Sequence, residues 1–228
     1  MSADRERNLC LFDLDETLLP LDSDHAWGEF MIRLGWVDAA AFKRENDRFY
    51  AQYQAGQLDI HAYVRSSTAP LRARSVEEAS AAQRRFMREV IAPELRPEAL
   101  ALVREHQALG DRIALVTATN DFVTGPIAAA FGVADLIAVR LARDAGGSIT
   151  GDIAGTPSYR EGKVARVREW LLEQACDWHD FKRISVYSDS VNDLALFERA
   201  TDPVATNPSP ALEAIASARG WRILKPFE

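Results

Sequence analysis

The sequence predicts an α/β protein, a Rossmann-like doubly wound parallel sheet with a helical insert, and three observations carry that expectation. Residues 9–12, Leu-Cys-Leu-Phe, form a continuous apolar run, the pattern of a strand covered on both faces. From about residue 95 onward, apolar runs of strand length alternate with helical patterns, which implies parallel strands joined by crossover helices. Between these regions, about residues 22–94 read as helices with no intervening strand.

Each element has its own signal. In the insert, Trp27, Phe30, Met31 and Leu34 fall at helical spacing before Gly35, and the Ala- and charge-rich stretch from Ser75 to Val90 leads to Pro93. Beyond it the expected order is a helix from Pro97 to Gly110, a strand at 112–119, and a helix starting between Asp121 and Pro126. A helix from Arg160 to Ala175, a strand at 183–189 and a helix at 193–200 follow. Strands at 203–206 and 221–225 flank a last helix from Ser209 to Ala218. The segment 146–155, GGSITGDIAG, has too many glycines for a helix and reads as a hairpin or flap. The division expected is a core of residues 1–20 and 95–228 with an inserted helical domain at 21–94.

Bulk properties narrow the function. A chain of 228 residues with 47% hydrophobic and 27% charged residues is an ordinary globular composition. Its formal net charge of −7 argues against nucleic-acid partners, which need clustered Lys and Arg. The start, MSADRERN, has no apolar leader pattern and no stretch reaches membrane-span length, so a cytoplasmic protein is expected. Cys10 and Cys176 match no metal or disulfide pattern and read as packed thiols. The four histidines show no paired metal spacing, and His106, in the last turn of its helix, reads as structural.

Chemistry concentrates at strand ends. Three strand-like runs finish in DLDET (13–17), TATND (117–121) and SDSVND (188–193), and Lys163 lies near the start of a helix. In a parallel sheet such ends share one edge, gathering Asp13, Asp15, Thr117, Asp189 and Asp193 around one crevice. Carboxylates that close repel unless a cation holds them, and Mg²⁺ suits a few carboxylates plus water and phosphate. The hydroxyl and the lysine suit a phosphoryl group.

DLDET at 13–17, LVTATN at 115–120, Lys163 and SDSVND at 188–193 resemble, in order, the four motifs of the haloacid-dehalogenase-like (HAD) hydrolases. The insert after the first motif resembles the cap of the phosphoserine-phosphatase-like branch. The resemblance implies a Mg²⁺-dependent phosphomonoester hydrolase working through an aspartyl-phosphate. Asp13 would be the nucleophile and Asp15 the acid that protonates the leaving oxygen and later activates water. Asp13, the Asp15 carbonyl and Asp189 would hold Mg²⁺, with Asp193 behind them. Thr117, Ala118 and Lys163 would bind the phosphoryl group. Asn192 would either join the site or cap the helix at Asp193. Thr17 and Ser188 read as loop structure, and Ser188 stands where the family usually has glycine.

The cap carries the specificity expectations. Asp22, Ser23 and Asp24 are good helix N-caps; the functional alternative is that Asp22 or Asp24 meets an ammonium or imidazolium group of the substrate. Trp27, Trp36, Phe49, Tyr50 and Tyr53 read as packing within the insert. Compared with phosphoserine phosphatases of this branch, GQLDIHAYVRSST (56–68) puts Ser67 where they carry an arginine for the substrate carboxylate. The substrate expected is therefore a small phosphorylated metabolite, an amino-alcohol phosphate such as histidinol phosphate, with phosphoserine as the alternative. A phosphoacceptor signalling module of receiver type is the rival class; there the acceptor Asp lies on a middle strand and no large insert is present. A catalytically silent metal-binding relative is disfavoured because both acids of DLDET are present.

Overall fold

The computed structural model describes residues 7–54 and 57–227; residues 1–6, 55–56 (including Gly56 of the GQLDIHAYVRSST segment) and 228 lie outside the described residues. Six strands form one parallel sheet: β1 (Asn8–Phe12), β2 (Arg112–Asn120), β3 (Asp135–Val139), β6 (Arg183–Ser188), β7 (Asp202–Thr206) and β8 (Arg222–Leu224), in the order β3-β2-β1-β6-β7-β8. Between β3 and β6, β4 (Leu141–Arg143) and β5 (Ile149–Ile153) make an antiparallel pair, the hairpin expected from the glycines at 146–155.

β1 is central, paired with β2 and β6. Its side chains alternate between two cores: Cys10 and Phe12 pack on one face with Ala99, Val103 and Ile127, while Leu9 and Leu11 pack on the other with Val167, Leu171 and Leu212. Burial on both faces is what the apolar run implied. The first face carries α6 (Pro97–Leu109) and α7 (Asp121–Ala130); the second carries α8 (Glu161–Glu173), α9 (Leu194–Phe197) and α10 (Pro210–Arg219).

Between β1 and α6 the described chain is helical: α1 (Ser23–Arg33), α2 (Ala39–Gln54), α3 (Ile60–Ser67), α4 (Ala69–Arg72) and α5 (Val76–Phe86). Ser75 starts α5 with a capping box to Glu78. Trp27 joins this region to the sheet layer, its ring 5.1 Å from Phe86 and 5.6 Å from Phe122.

Four readings need correction. The strand at 135–139 was not anticipated; DLIAV is a short run without alternation. The helix expected to 200 stops at Phe197, and the one expected to Ala175 stops at Glu173, before Ala175 at φ 52°. The helix expected through Val90 gives way at Met87–Ile91 to a π-helical turn.

His106 is buried, with Nδ1 2.7 Å from Asp111 and Nε2 2.9 Å from the Tyr187 hydroxyl, a structural place as expected. Both cysteines are free and buried. No helix among the described residues is long and apolar enough to cross a membrane.

Candidate active site

The crevice begins where β1 ends. The Asp13 N–H still donates to the Tyr187 carbonyl of β6 at 2.9 Å, so the strand hands Asp13 directly to the sheet edge. The Leu14 carbonyl then accepts from Thr17, Leu18 and Leu19 at 3.2, 2.8 and 3.0 Å, a tight turn with Glu16 at φ 58°. Leu14 is wholly buried, which anchors the turn between the two acids.

Lys163 sits in the first turn of α8. Its Nζ lies 2.9 Å from Asp13 Oδ1 and 2.7 Å from Asp193 Oδ2, and all three residues are buried. Gly162 beside it passes so near the chain that a Cβ there would stand 2.1 Å from the Pro157 carbonyl oxygen. The Ser188 hydroxyl donates to Asp193 Oδ2 at 2.7 Å and lies 3.5 Å from Asp13 Oδ2, closing a buried ring of acid, base and hydroxyl.

The other acids are held by side chains from distant parts of the sequence. Asp15 accepts from the Ser23 N–H at 2.8 Å and from Thr119 Oγ1 at 2.9 Å. Thr17 Oγ1 donates to Asp189 Oδ1 at 3.2 Å and accepts from the Asp189 N–H at 3.0 Å. Thr117 is buried, and its Oγ1 accepts from the Thr119 N–H at 3.1 Å.

Burial dominates the electrostatics. It pushes Asp13 up to about 6, against the pull of Lys163 and with help from Asp193. Asp15 rises to about 8 through burial and then Asp22, and Asp189 to about 9 through burial and then Asp13 and Asp193. For Lys163 burial acts downward, but Asp13 and Asp193 outweigh it and hold its pKa above the usual lysine range, so it is an ammonium.

The sequence reading thus finds Asp13, Asp189, Asp193 and Lys163 around one crevice. Asn192 does not cap the helix at Asp193: Ser190 Oγ caps the short turn Val191–Asp193 before α9, accepting from the Asn192 N–H at 3.2 Å, and the Asn192 carboxamide instead accepts from Arg160 Nε at 3.3 Å. At the insert, Asp22 is the N-cap of α1, accepting from the Asp24 and His25 N–H groups at 2.9 Å each. Asp24 instead accepts from the Tyr63 hydroxyl, with Asn120 Nδ2 at 3.5 Å. Thr17 and Ser188, read as loop structure, tie motif acids together, and Thr119 is a contact the motif reading passed over. Tyr53, read as packing, brings its hydroxyl into polar contact with Ser190 and Asn192. Its signal was faint, because an aromatic on a helix looks the same whether it faces packing or a site.

Among the described residues no three His, Cys, Asp or Glu side chains form a metal cage. A divalent ion at this crevice would rest on two carboxylates, Asp13 and Asp189, and the Asp15 carbonyl, since the Asp15 carboxylate is engaged by Ser23 and Thr119. That donor set is all hard oxygen, and it leaves positions for water and phosphate, which suits Mg²⁺.

A family model described as haloacid dehalogenase-like hydrolase matches residues 10–198. The chain is 41% identical to a histidinol-phosphatase of Neisseria meningitidis over 218 residues, 96% of this chain and 98% of that one. It is 27% identical to a phosphoserine phosphatase of Mycobacterium tuberculosis over 93% of this chain and 68% of that one. A crystal structure of a Bordetella pertussis protein with unknown function superposes with a TM-score of 0.92 at 49% identity, covering 97% of this chain and all 100% of that one. A substrate-bound phosphoserine phosphatase superposes at 0.66 with 20% identity over 96% of this chain and 93% of that one, a likeness of fold.

Proposed function

The chain belongs to the haloacid dehalogenase-like hydrolases and is a phosphatase of small phosphorylated metabolites, and we propose that it works through an aspartyl-phosphate on Asp13 with Mg²⁺ as cofactor. The observation that carries this reading is the position of Asp13, at the carboxyl end of a central strand with the Lys163 ammonium 2.9 Å away. The Lys163 ammonium offsets part of the burial that raises Asp13, favouring the anion needed for attack on phosphorus. Lys163 also offsets repulsion between that carboxylate and an anionic ester.

Residues 13–15 supply both reacting groups. Asp13 attacks phosphorus, the bond to the leaving oxygen breaks, and Asp15 delivers the proton that the oxygen needs. Asp15 then takes a proton from the water that attacks the acyl phosphate, freeing phosphate and restoring Asp13. The bonds from Ser23 and Thr119 fix the Asp15 carboxyl for both half-reactions. Thr117 with the Ala118 backbone, Lys163 and Asn192 bind the phosphoryl oxygens. Asp13, Asp189 and the Asp15 carbonyl hold Mg²⁺, which when bound neutralises phosphoryl charge, and Asp193 supports the site through Lys163. The receiver-type reading is set aside on the family match and the helical insert.

The region 21–94 acts as a cap over the core formed by 1–20 and 95–228. The substrate we favour is an amino-alcohol phosphate such as histidinol phosphate, supported by the 41% relative and by a serine, Ser67, at the place of the carboxylate-binding arginine. Phosphoserine is the second reading. The protein acts in the cytoplasm on a free metabolite, with neither nucleic acid nor membrane as partner.

The test is phosphate release from p-nitrophenyl phosphate with and without Mg²⁺ by the protein and by Asp13→Asn. Loss of turnover in the variant, and on chelation, is expected, with the circular dichroism of the variant unchanged. Undiminished turnover by Asp13→Asn would overturn the assignment.

A further inference from the structure

Trp27 is only 2% exposed, yet its indole Nε1–H has no hydrogen-bond partner, and the buried Ser67 Oγ has none either. Both line a small cavity within the insert, together with Asp24, Tyr63 and one residue of the core, Asn120. Buried donors left unsatisfied cost of order 1–3 kcal/mol each, so two around one cavity mark a place built for something polar. The cavity offers only about 10 Å³, space for a single water centre in the ligand-free form.

The lining groups have complementary hydrogen-bonding sense. On α1, Asp24 and Trp27 are three residues apart and so share a helix face. Asp24 is an acceptor; its carboxylate takes the Tyr63 hydroxyl and the Asn120 carboxamide. Trp27 is a donor and nothing else. Asn120 also caps α7, its Oδ1 accepting from the Val123 N–H at 3.1 Å, and it ends the strand that carries Thr117 and Thr119. Asn120 thus brings one side of the cavity to the end of the strand that carries Thr117 and Thr119, on the side from which the alcohol part of a phosphate ester would project.

We infer that Asp24, Trp27 and Asn120 form the specificity pocket for the leaving alcohol, selecting a neutral azole ring over a carboxylate. Such a ring carries one N–H, which Asp24 accepts, and one bare nitrogen, which the Trp27 indole satisfies. The ring N–H takes over the place on Asp24 that the Tyr63 hydroxyl holds in the ligand-free protein, so entry of the ligand turns Tyr63 aside. Ser67, able both to donate and to accept, completes the surround. A carboxylate in the same place would face Asp24 with no arginine to neutralise it, and is rejected by repulsion as much as by lack of fit. The inference rests on the phosphatase reading above and names the residues that select its substrate.

Two measurements test it. In the first, kcat/KM is compared for histidinol phosphate and phosphoserine in the protein and in Asp24→Asn. The histidinol phosphate to phosphoserine ratio is expected to fall by about 10- to 100-fold in the variant, the discrimination lost when a paired polar contact is broken. A ratio within twofold of the starting value would overturn the assignment. In the second, the indole N–H resonance that disappears in Trp27→Phe is followed in the unaltered protein as histidinol, and separately serine, is added. Movement with histidinol and not with serine supports the pocket; no movement at saturating histidinol rejects it. Because this readout needs no turnover, a protein that binds histidinol at Trp27 but releases no phosphate would count against the phosphatase reading alone.

Discussion

Lys163 and Asp193 meet at 2.7 Å with side chains only 5% and 2% exposed, a closer contact than the 2.9 Å from Lys163 to Asp13. The lysine is thus clamped by one acid while it serves another. Removing its charge leaves two buried carboxylates without a cation. Lys163→Met is expected to lower kcat/KM by about 100-fold or more, the scale for losing one preorganised charge contact. It should also cost about 3–5 kcal/mol of stability, because one side of a buried ion pair is gone. Steady-state kinetics and urea unfolding check both; near-normal kcat would remove Lys163 from the mechanism.

Thr119 tests the proton-transfer assignment without touching a motif acid. Its hydroxyl donates to Asp15 at 2.9 Å. Thr119→Val keeps the shape and deletes the donor, so it is expected to lower kcat about 10-fold with little change in KM, at about 1 kcal/mol in stability. A change confined to KM would mean that Thr119 touches substrate instead.

Two glycines give opposite expectations. At Gly162 an added Cβ would lie 2.1 Å from the Pro157 carbonyl, whereas at Gly125, inside α7, nothing lies within 4 Å. Gly162→Ala should destabilise by about 1–3 kcal/mol and, by shifting the neighbouring Lys163, reduce activity. Gly125→Ala should stabilise by about 0.5–1 kcal/mol. Thermal melts of the pair decide it, and equal shifts would show the tight passage at Gly162 to be relaxed in solution.

The pH response has a definite sign at Asp111. Burial opposes its charge, but bonds from His106, Asn8 and Arg183 outweigh burial and hold the carboxyl below its ordinary value. A depressed carboxylate pKa adds stability that is present above the unfolded value near about 3.9 and is lost as pH falls through the folded one. Asp111→Asn should therefore be less stable than the unaltered protein by about 1–3 kcal/mol at pH 7. That gap should close as urea unfolding is repeated at progressively lower pH toward 3. A gap that stays constant would mean the contribution is not electrostatic.

What could be read in advance follows from where each signal lives. Asp13, Asp189 and Lys163 were legible because each stands in a local motif at a strand end or helix start, and a parallel sheet brings such ends together. Thr17 and Thr119 were not, because their meaning is a partner 172 or 104 residues away, and a threonine carries no mark of that. Asn192 could not be placed between two roles, since Ser190 and Asn192 are both good caps and only the turn geometry gives the cap to Ser190. The alternating helices and strands after residue 95 set the sheet, but the ends at Phe197 and Glu173 depended on local turns that propensity does not report.

The central place of β1 has a consequence for biosynthesis. Leu9, Leu11 and Phe12 are made well before their neighbour in β6, which starts at Arg183, and Asp13 finds Lys163 150 residues later. Until β6 is made, this greasy strand has an unpaired edge, a segment prone to mispair or to engage chaperones. A nascent chain stalled before β6 should then be captured by folding helpers and chemically inert, with the crevice assembling only once β6 and Asp193 have emerged.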